Sequence, residues 1–165
     1  MSTAIFFATN TGNTEEIATK ISEELNNIEV FDLSSIDAQK MNDYDKLIIG
    51  GSTWGDGELN DDWEDSWNKF EEVNLNNKIV ALFGLGDQES YSDEFCSAMG
   101  IIYEHIKNTN AKVVGFTSTD GYFHDESKAQ IGNEFVGLVI DEDNQSELTD
   151  DRIKTWVDNI KNEII

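Results

Sequence analysis

Proline is absent from the chain, and cysteine occurs once, as Cys96. Without proline, turns must rest on Gly, Asn and Asp. A single cysteine excludes an internal disulfide and points to a reducing compartment. Cations are scarce: 11 Lys and Arg stand against 34 Asp and Glu, a formal net charge of −23. Such acidity argues against nucleic acid or an anionic membrane as partner, because both demand a basic face. No apolar run reaches the length of a membrane span. The N-terminus lacks the basic region and apolar block of a secretory signal. These absences predict a cytoplasmic protein, and a mature plastid protein would read the same way. At 165 residues, the span 1–165 fits one domain with one ordinary core. The excess acid has two readings: a solvated surface, or a field that steers a basic protein partner.

Strand and helix patterns alternate. Thr3-Ala4-Ile5-Phe6-Phe7-Ala8 reads as a buried strand, and Ile17, Ala18, Ile21 and Leu25 follow at helical spacing. Glu29 to Leu33 gives a second strand, followed by a weak helical piece near 36–41. Lys46 to Thr53 gives a third strand and Lys78 to Gly84 a fourth. Trp63, Trp67 and Phe70 form a helical stripe between these two, and a further helix is predicted at about 92–108. Lys112 to Thr117 begins a fifth strand that Gly137 to Ile140 completes, with a long polar insertion at about 118–136. Ile153, Trp156, Val157 and Ile160 mark the last helix. Alternation of this kind predicts an α/β fold: a doubly wound, five-stranded parallel sheet in the order 2-1-3-4-5 with helices on both faces. Ligands of such sheets gather beyond the carboxyl ends of the strands.

Three loops therefore carry the candidate site. The first, Thr9-Asn10-Thr11-Gly12-Asn13-Thr14-Glu15, joins the first strand to the first helix and contains no Lys or Arg. A strand-loop-helix turn aims backbone N–H groups and the positive end of a helix at an anion, with about half an elementary charge. A nucleoside triphosphate loop would need a lysine near position 15, where Glu15 and Glu16 stand. The pattern points to a monophosphate cradle. The second loop, Ser52-Thr53-Trp54-Gly55-Asp56-Gly57-Glu58-Leu59, holds Trp54 among small and polar residues. The third, from Gly84 to Glu94, holds Tyr91 as the one aromatic in a polar run. Each aromatic alone could be an ordinary core or surface residue. Together, beside a phosphate turn, they suggest a clamp for a flat ring with a phosphorylated tail.

The motifs Thr9-Asn10-Thr11-Gly12-Asn13-Thr14-Glu15, Thr53-Trp54-Gly55-Asp56-Gly57-Glu58-Leu59 and Gly84-Leu85-Gly86-Asp87-Gln88-x-x-Tyr91 resemble the three flavin-mononucleotide (FMN) loops of flavodoxins. The resemblance spans essentially the whole chain, including Asp141-Glu142-Asp143-Asn144-Gln145-Ser146 before the last helix. The insertion in the fifth strand resembles the long-chain type. The resemblance implies phosphate on Thr9 to Thr14, with the Thr9, Thr11 and Thr14 hydroxyls and backbone donors along Asn10, Gly12 and Asn13. Family members often carry Gln or Ser where Asn10 stands, which a backbone-dominated cradle tolerates. It further implies Trp54 on the inner ring face and Tyr91 on the outer, with Thr53, Gly57 and Gly86 in the same loops. Asp87, Glu94 and Cys96 match positions whose backbone meets the pyrimidine edge, and Asp143 a position near the ribityl chain. Gly55-Asp56 matches a peptide that flips on reduction, which glycine makes sterically cheap.

The implied function is a low-potential one-electron carrier, not an enzyme with its own substrate. It would cycle between a neutral semiquinone and an anionic hydroquinone. Asp56, Glu58, Asp61, Asp62, Asp87 and Glu89 crowd the rim, where a second electron would add one more negative charge. One such charge at about 8 Å and an effective dielectric near 20 costs about 2 kcal/mol, or roughly 90 mV. Implied partners are basic electron-transfer proteins such as ferredoxin–NADP reductase, photosystem I or nitrogenase, met by a monomer that can substitute for ferredoxin. Two other classes compete. A flavin enzyme such as a quinone reductase would need an open ring face, which Tyr91 would cover. A receiver-like module would need acids after the first strand and a phosphoacceptor Asp after the third, where Thr9-Asn10-Thr11 and Thr53-Trp54 stand. Asp141-x-Asp143-x-Gln145 faintly resembles a calcium loop, but Ser146 replaces its glycine and Arg152 its bidentate Glu. No metal site is expected. His105 and His124 read as structural or solvated, and Trp63, Trp67 and Trp156 as core.

Overall fold

The computed structural model describes residues 2–9, 12–54 and 57–165. The elements run β1 (Thr3–Ala8), α1 (Asn13–Glu24), β2 (Glu29–Asp32), β3 (Lys46–Trp54), β4 (Glu58–Leu59), α2 (Asp61–Glu71), β5 (Ile79–Leu85) and α3 (Ser97–Ile106). They continue with β6 (Lys112–Val114), β7 (Thr117–Ser118), β8 (Gln130–Ile131), β9 (Glu134–Phe135), β10 (Leu138–Ile140), α4 (Glu142–Gln145) and α5 (Thr149–Ile164). The main sheet has the order β10-β5-β3-β1-β2, with these neighbours parallel. β6 also pairs with β5, Ile79 opposite Lys112, and β10 resumes the same edge with Leu138 opposite Phe83. The two pieces together make the fifth position of the expected 2-1-3-4-5 order.

Strand residues alternate between two cores, as a sheet covered on both faces requires. Ala4, Phe6 and Ala8 of β1 face one cluster with Trp63 and Phe70 of α2 and Met99 and Ile102 of α3. Ile5 and Phe7 face the other, with Ile17 and Ile21 of α1 and Ile153 and Trp156 of α5. Two glycines of β3 permit this packing. A Cβ on Gly50 would stand 2.1 Å from the Phe83 ring, and one on Gly51 would stand 2.8 Å from Trp63 Nε1. That indole nitrogen donates to Gly50 O at 2.9 Å, so the largest core side chain leaves no buried donor unpaired.

Three local expectations are corrected. The piece expected near 36–41 is a 3₁₀ turn at Ala38–Asp43, started by Asp37 accepting from Gln39 N at 2.9 Å. The helix expected at about 92–108 begins only at Ser97. A 3₁₀ turn at Ser92–Glu94 precedes it, and Cys96 is left-handed with φ 53°. Thr117 is not in the main sheet. Gly115, at φ +86°, turns the chain off the edge of β5, and a Cβ there would lie 2.7 Å from Trp156 Nε1. The segment that follows forms its own antiparallel sheet, β7-β9-β8. It docks on the molecule through aromatics: Phe95 lies 5.2 Å from His124, 5.8 Å from Tyr122 and 5.9 Å from Phe135.

Candidate functional site

A cleft of about 270 Å³ opens at the carboxyl ends of β1, β3 and β5. Each wall follows from local chemistry. At the end of β1, Gly12 caps α1 with φ +92°, a backbone that glycine adopts without strain. Its N–H donates to Thr9 Oγ1 at 2.9 Å, which closes the turn. Asn13 and Thr14, the first residues of α1, line the cleft. Among the described residues, the buried Thr14 hydroxyl has no hydrogen-bond partner. A buried polar atom left unpaired is costly, and this one sits at the positive end of a helix, where a bound anion would satisfy it.

β3 and β5 supply the ring walls. Trp54 is 39% exposed and Tyr91 53%, although both line the cleft. Trp54 Nε1 donates to Ser52 Oγ at 2.7 Å, which anchors the indole by its edge. Thr53 Oγ1 accepts from Ala98 N at 3.1 Å and ties this loop to the start of α3. Two exposed aromatics from different loops flank one cleft, an arrangement suited to a flat ring.

The third side is acidic and tightly bonded. Asp87 Oδ1 accepts from Ser90 N at 2.9 Å, Glu89 N at 3.1 Å and Asn144 Nδ2 at 2.8 Å. Burial alone would push the Asp87 carboxyl up, but the donations from Ser90, Asn144 and Glu89 outweigh it and hold the group below its ordinary value. Asp143 has the opposite balance: burial first, then the charges of Asp87 and Asp141, push it up. Behind them Asp141, fully buried, accepts from Gln88 N, Gln88 Nε2, Asn144 N and Asn144 Nδ2 at 2.7–3.1 Å. Asp87, Asp141 and Asp143 place carboxylate oxygens within 4.8 Å of one another. Both Asp141 oxygens are occupied by amide donors, so the cluster reads as a hydrogen-bonded brace.

The cleft gathers eight of the residues expected from sequence. Asn13 and Thr14 come from the first loop, Thr53 and Trp54 from the second, and Gly86, Asp87, Tyr91 and Asp143 from the remaining segments. Asn10, Thr11, Gly55 and Asp56 lie outside the described residues. Thr9, Gly12, Gly57, Glu94 and Cys96 do not line it, each for a visible reason. Thr9 and Gly12 are engaged with each other. Glu94 packs against Gly57, where a Cβ would meet Glu94 Oε2 at 2.3 Å. Cys96 lies behind Gly86, where a Cβ would meet both Cys96 N and Sγ at 2.9 Å. Burial, and secondarily Asp141, push the Cys96 thiol well up, so it is no reactive thiolate. Ser52, Leu85 and Glu142 line the cleft without having been singled out. Ser52 and Leu85 were legible as strand ends facing the rim, and Glu142 as a neighbour of Asp143. Gln88 and Asn144 touch the site through Asp141, a pairing no local pattern announces.

Comparison with known proteins gives a uniform answer. The family model described as Flavodoxin matches residues 5–156. The chain is 48% identical over 161 residues to a flavodoxin of Nostoc sp., covering 96% of this chain and 95% of that one. It is 47% identical over 157 residues to a flavodoxin of Helicobacter pylori, covering 95% and 94%. Among solved structures, Fusobacterium nucleatum flavodoxin bound to flavin mononucleotide superposes with a TM-score of 0.93. It has 34% identity and covers 99% of each chain.

Proposed function

Because the chain belongs to the flavodoxin family, we propose that the 270 Å³ cleft holds flavin mononucleotide and that the protein carries electrons between other redox proteins. It is an electron-transfer protein and has no substrate of its own. The observation that carries the reading is the Thr14 hydroxyl, buried and unpartnered at the mouth of α1, in the same cleft as the exposed Trp54 and Tyr91. The chain's residues fit the cofactor at both ends. Thr14 and the α1 terminus would take its phosphate, with Thr9, Asn10, Thr11, Gly12 and Asn13 completing the cradle. Trp54 and Tyr91 would cover its ring. Gly86, Asp87, Glu94 and Cys96 would present backbone to the ring edge, and Asp143 would stand near the sugar chain. Thr53 and Gly57 would shape the second loop, and Gly55-Asp56 would supply the peptide that turns on reduction. When bound, FMN supplies one-electron chemistry.

The finer reading concerns potential and partners. Glu142, Asp143 and Asp87 line the cleft, and negative charge there opposes the addition of more. This supports a low-potential carrier that shuttles between its one- and two-electron-reduced forms. The −23 net charge supports docking to basic partners such as ferredoxin–NADP reductase, photosystem I or nitrogenase. The reading further takes the protein as a monomer working in the cytoplasm. Among the described residues no helix is long and apolar enough to cross a membrane. Fluorescence titration of the cofactor-free chain with FMN tests the cofactor assignment. Saturable one-to-one quenching, weakened in Thr14→Val, supports it, and no quenching refutes it.

A further inference from the structure

A second cleft, about 380 Å³ in volume, opens between the start of the 115–137 segment and α5. It shares no lining residue with the first. Its floor is Leu138 and Trp156, each 2% exposed, and its walls are the rings of Phe116 and Tyr122. The polar atoms of these rings point into the protein. Trp156 Nε1 donates to Gly115 O at 2.8 Å and the Tyr122 hydroxyl to Val139 O at 2.5 Å. The cleft therefore receives apolar ring surface with no donor of its own.

One strongly polar group joins that surface. Arg152, the single arginine in the sequence, places its guanidinium carbon 4.1 Å from the centre of the Tyr122 ring. In a chain with 34 acids, Arg152 enters no ion pair among the described residues. Its Nη1 is buried and, among the described residues, without a hydrogen-bond partner. Gly121, at φ +88°, lies beside it: a Cβ there would come into van der Waals contact with Arg152 Nη2 at 3.8 Å, room that glycine leaves unfilled. A guanidinium presents donors in a planar fork that matches a carboxylate, and its stacking on Tyr122 holds the fork in place.

We propose that this cleft binds a small aromatic monocarboxylate, its ring against Leu138 and Trp156 between Phe116 and Tyr122, and its carboxylate on Arg152. The size of the cleft, near the lower end for ligand pockets, accommodates one or two fused rings. The charge is limited to one because Asp120 and Asp151 stand at the rim and oppose a dianion. Thr155 and Asn159, exposed on the same face of α5, add hydrogen-bonding groups at the mouth.

The test is an NMR titration of the full chain with benzoate and, separately, with its uncharged near-isostere benzamide. The Trp156 indole N–H and the Gly121 amide are followed. Benzoate is expected to give saturable shifts at both, with a dissociation constant on the order of 1 mM. Benzamide should bind at least about tenfold more weakly, and Arg152→Gln should abolish the difference between the two. Absence of saturable shifts with benzoate, or equal binding of the two probes, overturns the proposal. The comparison of probes on the unmodified chain decides the matter even where the variant fails to fold.

Discussion

Gln88 Nε2 donates to Asp141 Oδ2 at 2.7 Å, and the two residues, 53 positions apart, are at most 1% exposed. The same Gln88 accepts from Phe123 N at 2.8 Å and donates to Gln145 at 2.9 Å. One side chain thus joins the loop after β5, the segment before α5 and the loop between β7 and β8. It holds the acidic side of the 270 Å³ cleft in shape. Asp141→Asn exchanges an acceptor for a donor that would face the amides of Gln88 and Asn144. A loss of about 2 kcal/mol of stability is expected, together with weaker FMN binding. Urea unfolding of the cofactor-free chain and FMN titration check the two effects, and an unchanged midpoint would deny the brace its role.

Trp54 and Tyr91 call for the opposite pattern. Both are exposed, so neither contributes much to the folded chain alone. Trp54→Ala and Tyr91→Ala should each leave the urea midpoint of the cofactor-free protein within about 0.5 kcal/mol of the parent. Each should weaken FMN binding by roughly tenfold or more, since stacking on a flat ring is worth about 1–3 kcal/mol. Parallel losses of stability and affinity would mean that these rings serve the fold instead.

The acidic rim predicts a redox effect. Burial first, and then the charges of Asp32, Asp65 and Asp61, push the Asp62 carboxyl up, which shows charges there working against one another. Neutralising both positions as Asp61→Asn/Asp62→Asn removes two negative charges from the first turn of α2, which follows the Trp54 loop. The potential for adding the second electron should rise, by an amount on the order of tens of millivolts. Potentiometric titration reads it directly, and an unmoved potential would sink the local-charge account.

Tyr44 gives a pH prediction at the alkaline end. It is buried, its hydroxyl donates to Glu29 Oε1 at 3.0 Å, and burial followed by that carboxylate pushes it up to about 12. The folded value lies above the unfolded value near 10, so the fold favours the protonated form. The stability this contributes is fully present below about pH 10 and is lost as pH rises towards about 12. In Tyr44→Phe, stability should fall less steeply across that window, as urea midpoints at stepped pH would show. Identical slopes would remove Tyr44 from the alkaline transition.

Much of this was legible in the sequence because the signals were local. Strand alternation and helical spacing fixed the order of elements, and the loops after the first, third and fourth strands ran into one cleft. Trp54 and Tyr91 stood out because no neighbour in their own segments could bury them. What escaped was non-local. The helix expected from about residue 92 starts at Ser97 because Cys96 is left-handed behind Gly86, and no residue-type pattern marks a non-glycine there. The apolar pattern of 112–117 places Gly115 inside a strand, yet at φ +86° it turns the chain away from β5. The brace joins Gln88 to Asp141 across 53 positions and Asp87 to Asn144 across 57, beyond the reach of periodicity.

The central claim is that the cleft binds FMN and that the protein passes electrons singly. A visible absorption spectrum followed through stepwise reduction tests it most directly. The account predicts a yellow protein that develops long-wavelength absorption as the one-electron-reduced form accumulates, then bleaches as the second electron enters. A chain that stays colourless in added FMN, or one that bleaches with no species between, would contradict it.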